Sequence, residues 1–230
     1  MSFHYTGRER PICPGASVGI TDGEPGTITA LVRKTTSKDK AVYALSCEHV
    51  LKPKNAGNSI SVVQPAIQDG IGTGSYNRIG KSVITANLSL VNSNVVDAAI
   101  VKLNGNVKGQ NFLRSENLYM RGVDTDVHVG QKVLMIGRSS GTEVGQITEM
   151  NASEIVNYQR LGWSASMNFV GVLKANYKNA PGDSGAPVIN PTTGDLIGIH
   201  FSGKKVSEGK SESFICPIQS VFEKLKIELI

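Results

Sequence analysis

The sequence has few cysteines and no long apolar run, and each shortage excludes a class of protein. Its three cysteines, Cys13, Cys47 and Cys216, cannot form a complete set of disulfides within one chain. No segment approaches the roughly 20 apolar residues that a membrane-spanning helix needs. Residues 1–15 are polar and carry no apolar run of signal-peptide length. We therefore expect a cytoplasmic protein in a reducing environment, with no membrane partner.

The charge and the histidines exclude further partners. The net charge is +5, but the basic residues are scattered apart from the run Lys34–Lys40, which is typical of a solvated loop. We therefore expect no nucleic-acid partner. His4 and His128 lack metal-ligand spacing to each other or to any cysteine. The sequence thus predicts neither a metal site nor a cofactor.

Short apolar runs recur along the chain and are separated by turn signals. The 25 glycines lie between runs rich in Val, Ile, Thr and Ser, a pattern typical of many short strands joined by tight turns. It predicts an all-β fold, either a sandwich or a pair of barrels. The expected strands are Gly26–Val32, Ala41–Ser46, Ser59–Val63, Gly80–Thr85, Val95–Leu103, Lys132–Gly137, Val144–Met150, Met167–Lys174, Gly185–Asn190, Asp195–Phe201 and Glu212–Ile218.

Two segments depart from the strand pattern. Asn104–Asp124 has no clear strand signal and lies near the middle of the chain, so we expect a connector between two halves. Near the C-terminus, Pro217 precedes apolar residues at positions i, i+3, i+4 and i+7, counted from Ile218. This spacing predicts a helix.

The strongest chemical signal is Pro181–Pro187, with the sequence Pro-Gly-Asp-Ser-Gly-Ala-Pro. A serine that attacks an amide must lie on a sharp turn, with backbone N–H groups facing the developing oxyanion. Glycines on both sides of Ser184 permit such a turn. The alternative interpretation of this segment is a plain turn between two strands.

Two further residues can complete a nucleophilic site. His49 follows an apolar strand and can act as a general base if another segment brings a serine to it. A lone histidine in this place is more often structural. Asp97 interrupts the apolar strand Val95–Val101, and a buried carboxylate needs a partner such as an imidazole N–H. In the alternative interpretation, Asp97 is a loop residue that caps a turn.

The order of the three residues favours the catalytic interpretation. They occur as His49, Asp97 and Ser184, which is the order found in chymotrypsin and differs from that of subtilisin and the α/β-hydrolases. His49 and Asp97 fall in the first half of the chain and Ser184 in the second. A site between two barrels requires this distribution.

With these motifs the chain resembles the trypsin-like, chymotrypsin-fold serine peptidases, and it is most similar to intracellular or bacterial-type single-domain members. The resemblance runs from about Pro14 to the C-terminus and includes the segments 45–51, 96–100, 133–141 and 180–185. It implies two six-stranded antiparallel β-barrels and a short C-terminal α-helix. Residues 1–110 would carry His49 and Asp97, and residues 111–230 would carry Ser184 and the specificity pocket, together one peptidase domain.

The resemblance also implies roles. Ser184 would be the nucleophile, His49 the general base and Asp97 the residue that orients the base, with the N–H groups of Gly182 and Ser184 forming the oxyanion hole. The enzyme would be a serine endopeptidase acting on peptide or protein substrates.

Two features of secreted members are absent from this sequence. It begins at Met1 and has no Ile-Val-Gly-Gly sequence, whose freed amine in secreted trypsins pairs with the aspartate before the serine. Asp183 must therefore find another partner or stay solvated, and the site is either preformed or opened by another trigger. Cys47 also has no evident partner for the disulfide that flanks the histidine in secreted members.

The pocket residues follow from the same resemblance. Lys178 occupies the position where Arg- or Lys-selecting members carry a carboxylate, so cleavage after Arg or Lys is not expected. The sequence Gly-Ile-His ending at His200 resembles glutamyl endopeptidases and picornavirus-type proteases, whose histidine contacts a Glu or Gln side chain. The other expected substrate-binding residues are Asn179, Phe201, Ser202 and Gly203.

Three alternatives remain open at this stage. In the first, His200 only packs and forms hydrogen bonds within its strand. The whole domain could be a catalytically silent binding or scaffold module that keeps the fold. Esterase chemistry or another acyl transfer at the same serine has no sequence support of its own.

Overall fold

The computed structural model describes residues 6–36, 40–52, 61–70, 74–160 and 163–230, with the backbone alone at positions 82, 159, 160 and 163. His4 lies outside the described residues. So do parts of three predicted segments: the polar start at residues 1–15, the loop Lys34–Lys40 and the strand Ser59–Val63.

Strands are the main secondary structure of the described chain, as the alternation of apolar runs and turn signals predicts. The strands are β1 (Ser17–Ile20), β2 (Gly26–Thr27), β3 (Ala30–Lys34), β4 (Tyr43–Ser46), β5 (Val62–Val63), β6 (Arg78–Thr85), β7 (Ala99–Leu103), β8 (Phe112–Leu113), β9 (Leu118–Tyr119), β10 (Lys132–Gly137), β11 (Gly141–Arg160), β12 (Trp163–Ala175), β13 (Pro187–Ile189), β14 (Leu196–Ser207), β15 (Lys210–Pro217) and β16 (Ile227–Leu229). The helices are α1 (Glu48–Leu51) and α2 (Ile218–Leu225), and Ile67–Asp69 and Ser75–Asn77 form 3₁₀ turns.

The strands form two barrel-like sheets, so the expected all-β fold with a C-terminal helix is confirmed. The first sheet has the order β16-β3-β4-β7-β6-β5-β1-β2, in which β16 and β2 extend the edges of a six-stranded body. The second is a closed six-stranded barrel with the order β10-β11-β12-β15-β14-β13. One core cluster includes residues of both sheets, among them Leu45, Ile100, Phe169 and Phe201.

The C-terminal segment links the two sheets. Helix α2 buries Ile218, Val221 and Leu225, the residues that its spacing marks as apolar. The chain does not end there, because β16 follows the helix and pairs with β3 of the first sheet. The division into residues 1–110 and 111–230 remains a prediction. Strand β16 crosses it, because this strand lies at the C-terminal end of the sequence but pairs within the first sheet.

Two segments differ from the expected strand pattern. Within the expected connector Asn104–Asp124, β8 and β9 form a small two-stranded sheet. The predicted strands Val144–Met150 and Met167–Lys174 are parts of much longer strands, β11 and β12, which pair as a hairpin with several register shifts. This long hairpin also contacts the first half of the chain, since the Asn94 N–H donates to the Asn168 carbonyl at 2.8 Å.

All three cysteines are buried and form no disulfide. Their odd number already required that at least one of them be unpaired within the chain. In the part of the chain that the structure describes, no helix has the length and apolar character to cross a bilayer. The cytoplasmic location stays a prediction.

Candidate active site

Paired strands bring His49 and Asp97 together. Strand β4 leads into the short helix α1, which carries His49, and Asp97 lies just before β7. Because Ser46 of β4 pairs with Ala99 of β7, the two flanking residues come into contact. The backbone N–H of His49 donates to Asp97 Oδ1 at 3.2 Å, and His49 Nδ1 forms a short hydrogen bond with Asp97 Oδ2.

Asp97 is fully buried, so it needs the partner that its apolar flanks predicted. Burial by itself raises the pKa of this carboxyl, but His49 and the hydrogen bonds from His49 and Tyr158 outweigh it and lower the pKa below its usual value. Asp97 is therefore a carboxylate at neutral pH, and it holds the imidazole in one orientation.

Tyr158 is the member of this site that sequence reasoning missed. Its hydroxyl donates to Asp97 Oδ2 at 2.7 Å, and its ring centroid lies 5.2 Å from that of His49. Burial and the nearby Asp97 raise the pKa of Tyr158 well above its usual value, so the hydroxyl keeps its proton. The available signal was an alternation of inward residues at Ala152, Val156 and Tyr158 beyond the predicted end of β11.

The loop carrying Ser184 is held by side chains of the first sheet. The Thr27 hydroxyl donates to the Gly182 carbonyl at 2.9 Å, and the Thr29 hydroxyl donates to the Gly185 carbonyl at 2.6 Å. Gly185 has φ +94°, and a Cβ there would lie 2.1 Å from the Thr27 carbonyl oxygen. Only glycine allows this close approach of the two segments.

A close contact at Gly26 places the Ser184 loop beside the helix that carries His49. A Cβ at Gly26 would lie 2.5 Å from the Val50 side chain and 2.8 Å from the Ser184 carbonyl oxygen. Gly26 thus lies between α1 and the Ser184 loop. The Ser184 hydroxyl donates to the Phe201 carbonyl at 3.5 Å, a long hydrogen bond.

Backbone N–H groups near Ser184 fall into two groups. Those of Asp183 and Gly185 donate to the carbonyls of Ala180 and His200, at 3.1 and 2.8 Å. Those of Gly182 and Ser184 donate to no acceptor among the described residues. Two unsatisfied donors beside a serine hydroxyl provide what a developing oxyanion requires.

Asp183 has internal partners, which answers the question that the sequence left open. It is fully buried. Its Oδ1 accepts the N–H groups of Ser139 and Ser140 at 2.8 and 3.0 Å, and its Oδ2 accepts the Ala180 N–H at 2.8 Å and the Ser140 hydroxyl at 2.5 Å. The turn between β10 and β11 therefore anchors the Ser184 loop.

Arg138 precedes Ser139 in the chain, and its side chain binds Asp69 and not Asp183. Its guanidinium forms an ion pair with Asp69, and its Nε donates to Asp69 Oδ2 at 3.1 Å. Asp69 belongs to the first half of the chain, so this ion pair joins that half to the turn that holds Asp183.

His200 lies in β14, next to Phe201, whose carbonyl accepts the Ser184 hydroxyl. It is 2% exposed, and its Nδ1 lies 3.0 Å from the Tyr177 hydroxyl. Burial, with a smaller contribution from His49, lowers the pKa of His200 to about 4 against the opposing effect of Asp183. The imidazole is therefore neutral at pH 7.

Three of the other expected pocket residues follow His200 in the same strand, and the fourth, Asn179, packs beside them. Phe201 is buried, Ser202 is half-buried and Gly203 is exposed. The Asn179 amide donates to the Ser213 hydroxyl at 2.7 Å and lies directly against Gly203, where a Cβ would be 2.4 Å from Nδ2. Asn179 and Gly203 also line an open pocket.

Cys47, His49 and Asp97 form a cluster whose potential ligand atoms all lie within 4.8 Å of one another. Burial, Asp97 and Cys216 raise the pKa of the Cys47 thiol well above its usual value. The sulfur thus keeps its proton and donates to the His200 carbonyl at 3.6 Å. His49 Nδ1 and the Asp97 carboxylate are in turn hydrogen-bonded to each other, so the three side chains are held by hydrogen bonds within the site.

Comparisons with solved structures agree with this architecture. Thermobifida fusca Protease A matches with a TM-score of 0.65 and 15% identity over 95% of this chain and 98% of its own. Cellulomonas bogoriensis chymotrypsin matches with a TM-score of 0.64 and 18% identity over the same shares. A glutamic acid specific serine protease that uses a histidine triad in substrate binding matches with a TM-score of 0.68 and 16% identity, over 95% of this chain and all of its own. At these identities the likeness shows the fold.

The sequence comparisons show the family. No curated protein matches the sequence. The family model of the trypsin-like peptidase domain matches residues 29–199, which is most of the chain and includes His49, Asp97 and Ser184. The chain therefore belongs to the trypsin-like peptidase family.

Proposed function

We propose that this protein is a serine endopeptidase that hydrolyses peptide bonds through an acyl-enzyme. The observation that carries the proposal is the buried His49–Asp97 pair beside a serine loop with two unsatisfied N–H donors. Family membership supports a peptidase acting on peptides or proteins.

In the proposed mechanism each residue carries out one step. Ser184 Oγ attacks the scissile carbonyl while His49 accepts its proton, and Asp97 stabilises the imidazolium that forms. The N–H groups of Gly182 and Ser184 bind the tetrahedral oxyanion. His49 then protonates the leaving amine, and a water molecule, activated in the same way, hydrolyses the acyl-enzyme and restores Ser184.

We further propose that the site is preformed. Activation by a new N-terminal amine serves to neutralise the aspartate before the serine, and here Asp183 already receives four hydrogen bonds from Ser139, Ser140 and Ala180. These bonds satisfy a buried carboxylate without an added positive charge. No activation step is then needed to shape the oxyanion loop.

For specificity we propose Glu or Gln immediately before the scissile bond. The support is His200 on the strand that contacts Ser184, together with the glutamic acid specific protease of the same fold, which uses histidines in substrate binding. His200 Nδ1 lies 3.0 Å from the Tyr177 hydroxyl, and in the tautomer in which Nδ1 accepts from that hydroxyl the neutral ring carries its proton on Nε2. That N–H can donate to a carboxylate or amide oxygen.

A fluorophosphonate probe tests the catalytic proposal. Ser184 Oγ would form a bond to phosphorus as fluoride leaves, so the wild-type protein becomes covalently labelled and peptide hydrolysis stops. Ser184→Ala should abolish both labelling and hydrolysis. Ser164→Ala, at an exposed serine of the long hairpin, should behave as wild type.

If the folded wild-type protein is neither labelled nor able to cleave a peptide library, the catalytic proposal fails. Peptide binding without turnover would then favour the silent binding module.

A further inference from the structure

An open pocket rich in lysine lies next to the Ser184 loop. It has a volume of about 390 Å³ and lies between the loop before Ser184 and the exposed ends of β14 and β15. We call it the lysine pocket, and the residues that define it are Lys178, Asn179, Pro181, Gly203, Lys205 and Lys210.

The charge of this pocket is not balanced by its own residues. Lys204, at its edge, is paired with Glu154 and Glu212 at 3.1 and 2.9 Å. Lys178, Lys205 and Lys210 are exposed, and none of them forms an ion pair with a described carboxylate. Among the described residues, none of those that line the pocket is acidic. Like charges around one cavity create a positive potential that attracts an anionic group.

The position of the pocket connects it with the substrate. Pro181 on its rim precedes Gly182, and Gly203 follows Phe201, whose carbonyl accepts the Ser184 hydroxyl. The pairing of β13 with β14 ends at Ile199. Beyond His200, one edge of β14 therefore has no strand partner among the described residues, and an extended peptide can pair with it. A side chain of that peptide next to Ser184 would then reach the pocket.

We infer that the lysine pocket receives an acidic side chain of the substrate, immediately before the scissile bond, and that Lys178, Lys205 and Lys210 select Glu over Gln. This inference rests on the proposed peptidase function and deepens it. His200 is almost fully buried and does not line the pocket. A neutral imidazole can donate to a carboxylate or to an amide oxygen and adds no positive charge, so the lysines supply the charge that favours Glu over Gln.

The test compares matched peptides that carry Glu, Gln, Ala or Lys before the cleaved bond. In the wild-type protein we expect kcat/KM for Glu to exceed that for Gln by roughly ten-fold or more, and the preference to weaken as salt rises. The triple variant Lys178→Gln/Lys205→Gln/Lys210→Gln should reduce the preference to within about two- to three-fold.

A matched control removes the same charge elsewhere. Lys81, Lys132 and Lys224 are exposed, and the variant Lys81→Gln/Lys132→Gln/Lys224→Gln should keep the full preference for Glu. An active wild-type enzyme without that preference, or a pocket variant that retains it, overturns the inference.

A binding measurement separates this inference from the catalytic proposal. Fluorescence anisotropy with Ser184→Ala and labelled Glu and Gln peptides measures affinity without turnover. Tighter binding of the Glu peptide, lost in the triple lysine background, supports the pocket even if no peptide is cleaved. Equal affinities, or no binding, reject the pocket assignment whether or not the wild-type protein is an active peptidase.

Discussion

At the scale of single residues, the environment of Asp97 determines how well His49 is oriented. The carboxylate accepts hydrogen bonds from the His49 ring, the His49 backbone and the Tyr158 hydroxyl. In the proposed mechanism each bond would hold the carboxylate in the position from which it stabilises the imidazolium. Tyr158 acts through Asp97, so it is a positioning residue.

Replacing Tyr158 by Phe tests this role. A hydrogen bond to a charged group contributes about 1.5–3 kcal/mol, of which a part reaches the transition state. We expect kcat to fall roughly ten-fold with KM within about two-fold, because Tyr158 touches Asp97 and not the pocket. Tyr119→Phe, at a half-exposed ring far along the chain, is the control. An unchanged kcat contradicts the positioning role.

The same variant changes stability in acid. The pKa of Asp97 is lowered in the folded protein, so its contribution to stability is present above the unfolded-state pKa and is lost as pH falls through the folded-state pKa. Tyr158→Phe removes one cause of the lowering and raises the folded-state pKa. Urea unfolding measured across the acid range should therefore show the loss beginning at the same pH in both proteins, because the unfolded-state pKa is shared, but ending at a higher pH and with a smaller total in the variant. Superimposable pH profiles argue against this account.

At the scale of secondary-structure elements, the turn between β10 and β11 anchors the serine loop through Asp183. We expect Asp183→Asn to reduce kcat by on the order of 10²-fold or more, because an amide group places N–H donors against the donors of Ser139, Ser140 and Ala180, and the oxyanion loop shifts. Steady-state hydrolysis and the rate of fluorophosphonate labelling measure the effect.

Two further variants serve as comparisons for Asp183→Asn. Ser140→Ala removes the one side-chain donor and leaves the backbone donors in place, so its loss should be much smaller. Asp126→Asn changes an exposed carboxylate and should have no effect. If Asp183→Asn retains full activity, the oxyanion loop is shaped by other contacts.

At the scale of the whole molecule, the Asp69–Arg138 ion pair links the two halves. Both side chains are largely buried, with 4% and 16% of their surfaces exposed. Breaking a buried pair leaves an uncompensated charge, which costs about 3–5 kcal/mol when burial is complete. We expect Asp69→Ala and Arg138→Ala each to lower the free energy of unfolding by about 2–4 kcal/mol, measured by urea denaturation.

The double variant makes this prediction specific. Because the two residues share one interaction, Asp69→Ala/Arg138→Ala should be less destabilised than the sum of the single variants by at least about 1 kcal/mol. The exposed pair Arg33–Glu228 is the control, and its double-mutant cycle should give a coupling below about 1 kcal/mol. Additive effects at Asp69 and Arg138 contradict a direct link between the halves.

Much of the fold was predictable because its signals are local. Alternation of apolar residues and turn residues depends on near neighbours along the chain, and it located most strands and the helix α2. The extents of β11 and β12 were missed, since their outer parts are polar on the exposed face and draw their inward contacts from the first half of the chain.

The features of the candidate site likewise divide into those that local sequence motifs predict and those that only the tertiary structure shows. By itself the sequence determined which residues are the candidates for the chemistry, His49, Asp97 and Ser184, because each lies in a motif of a few residues. Only the tertiary structure decided the partners of Asp183, the role of Tyr158 beside Asp97, the burial of His200 and the grouping of the pocket lysines. These depend on contacts between segments tens of residues apart, which are formed by strand pairing and packing and leave no local pattern.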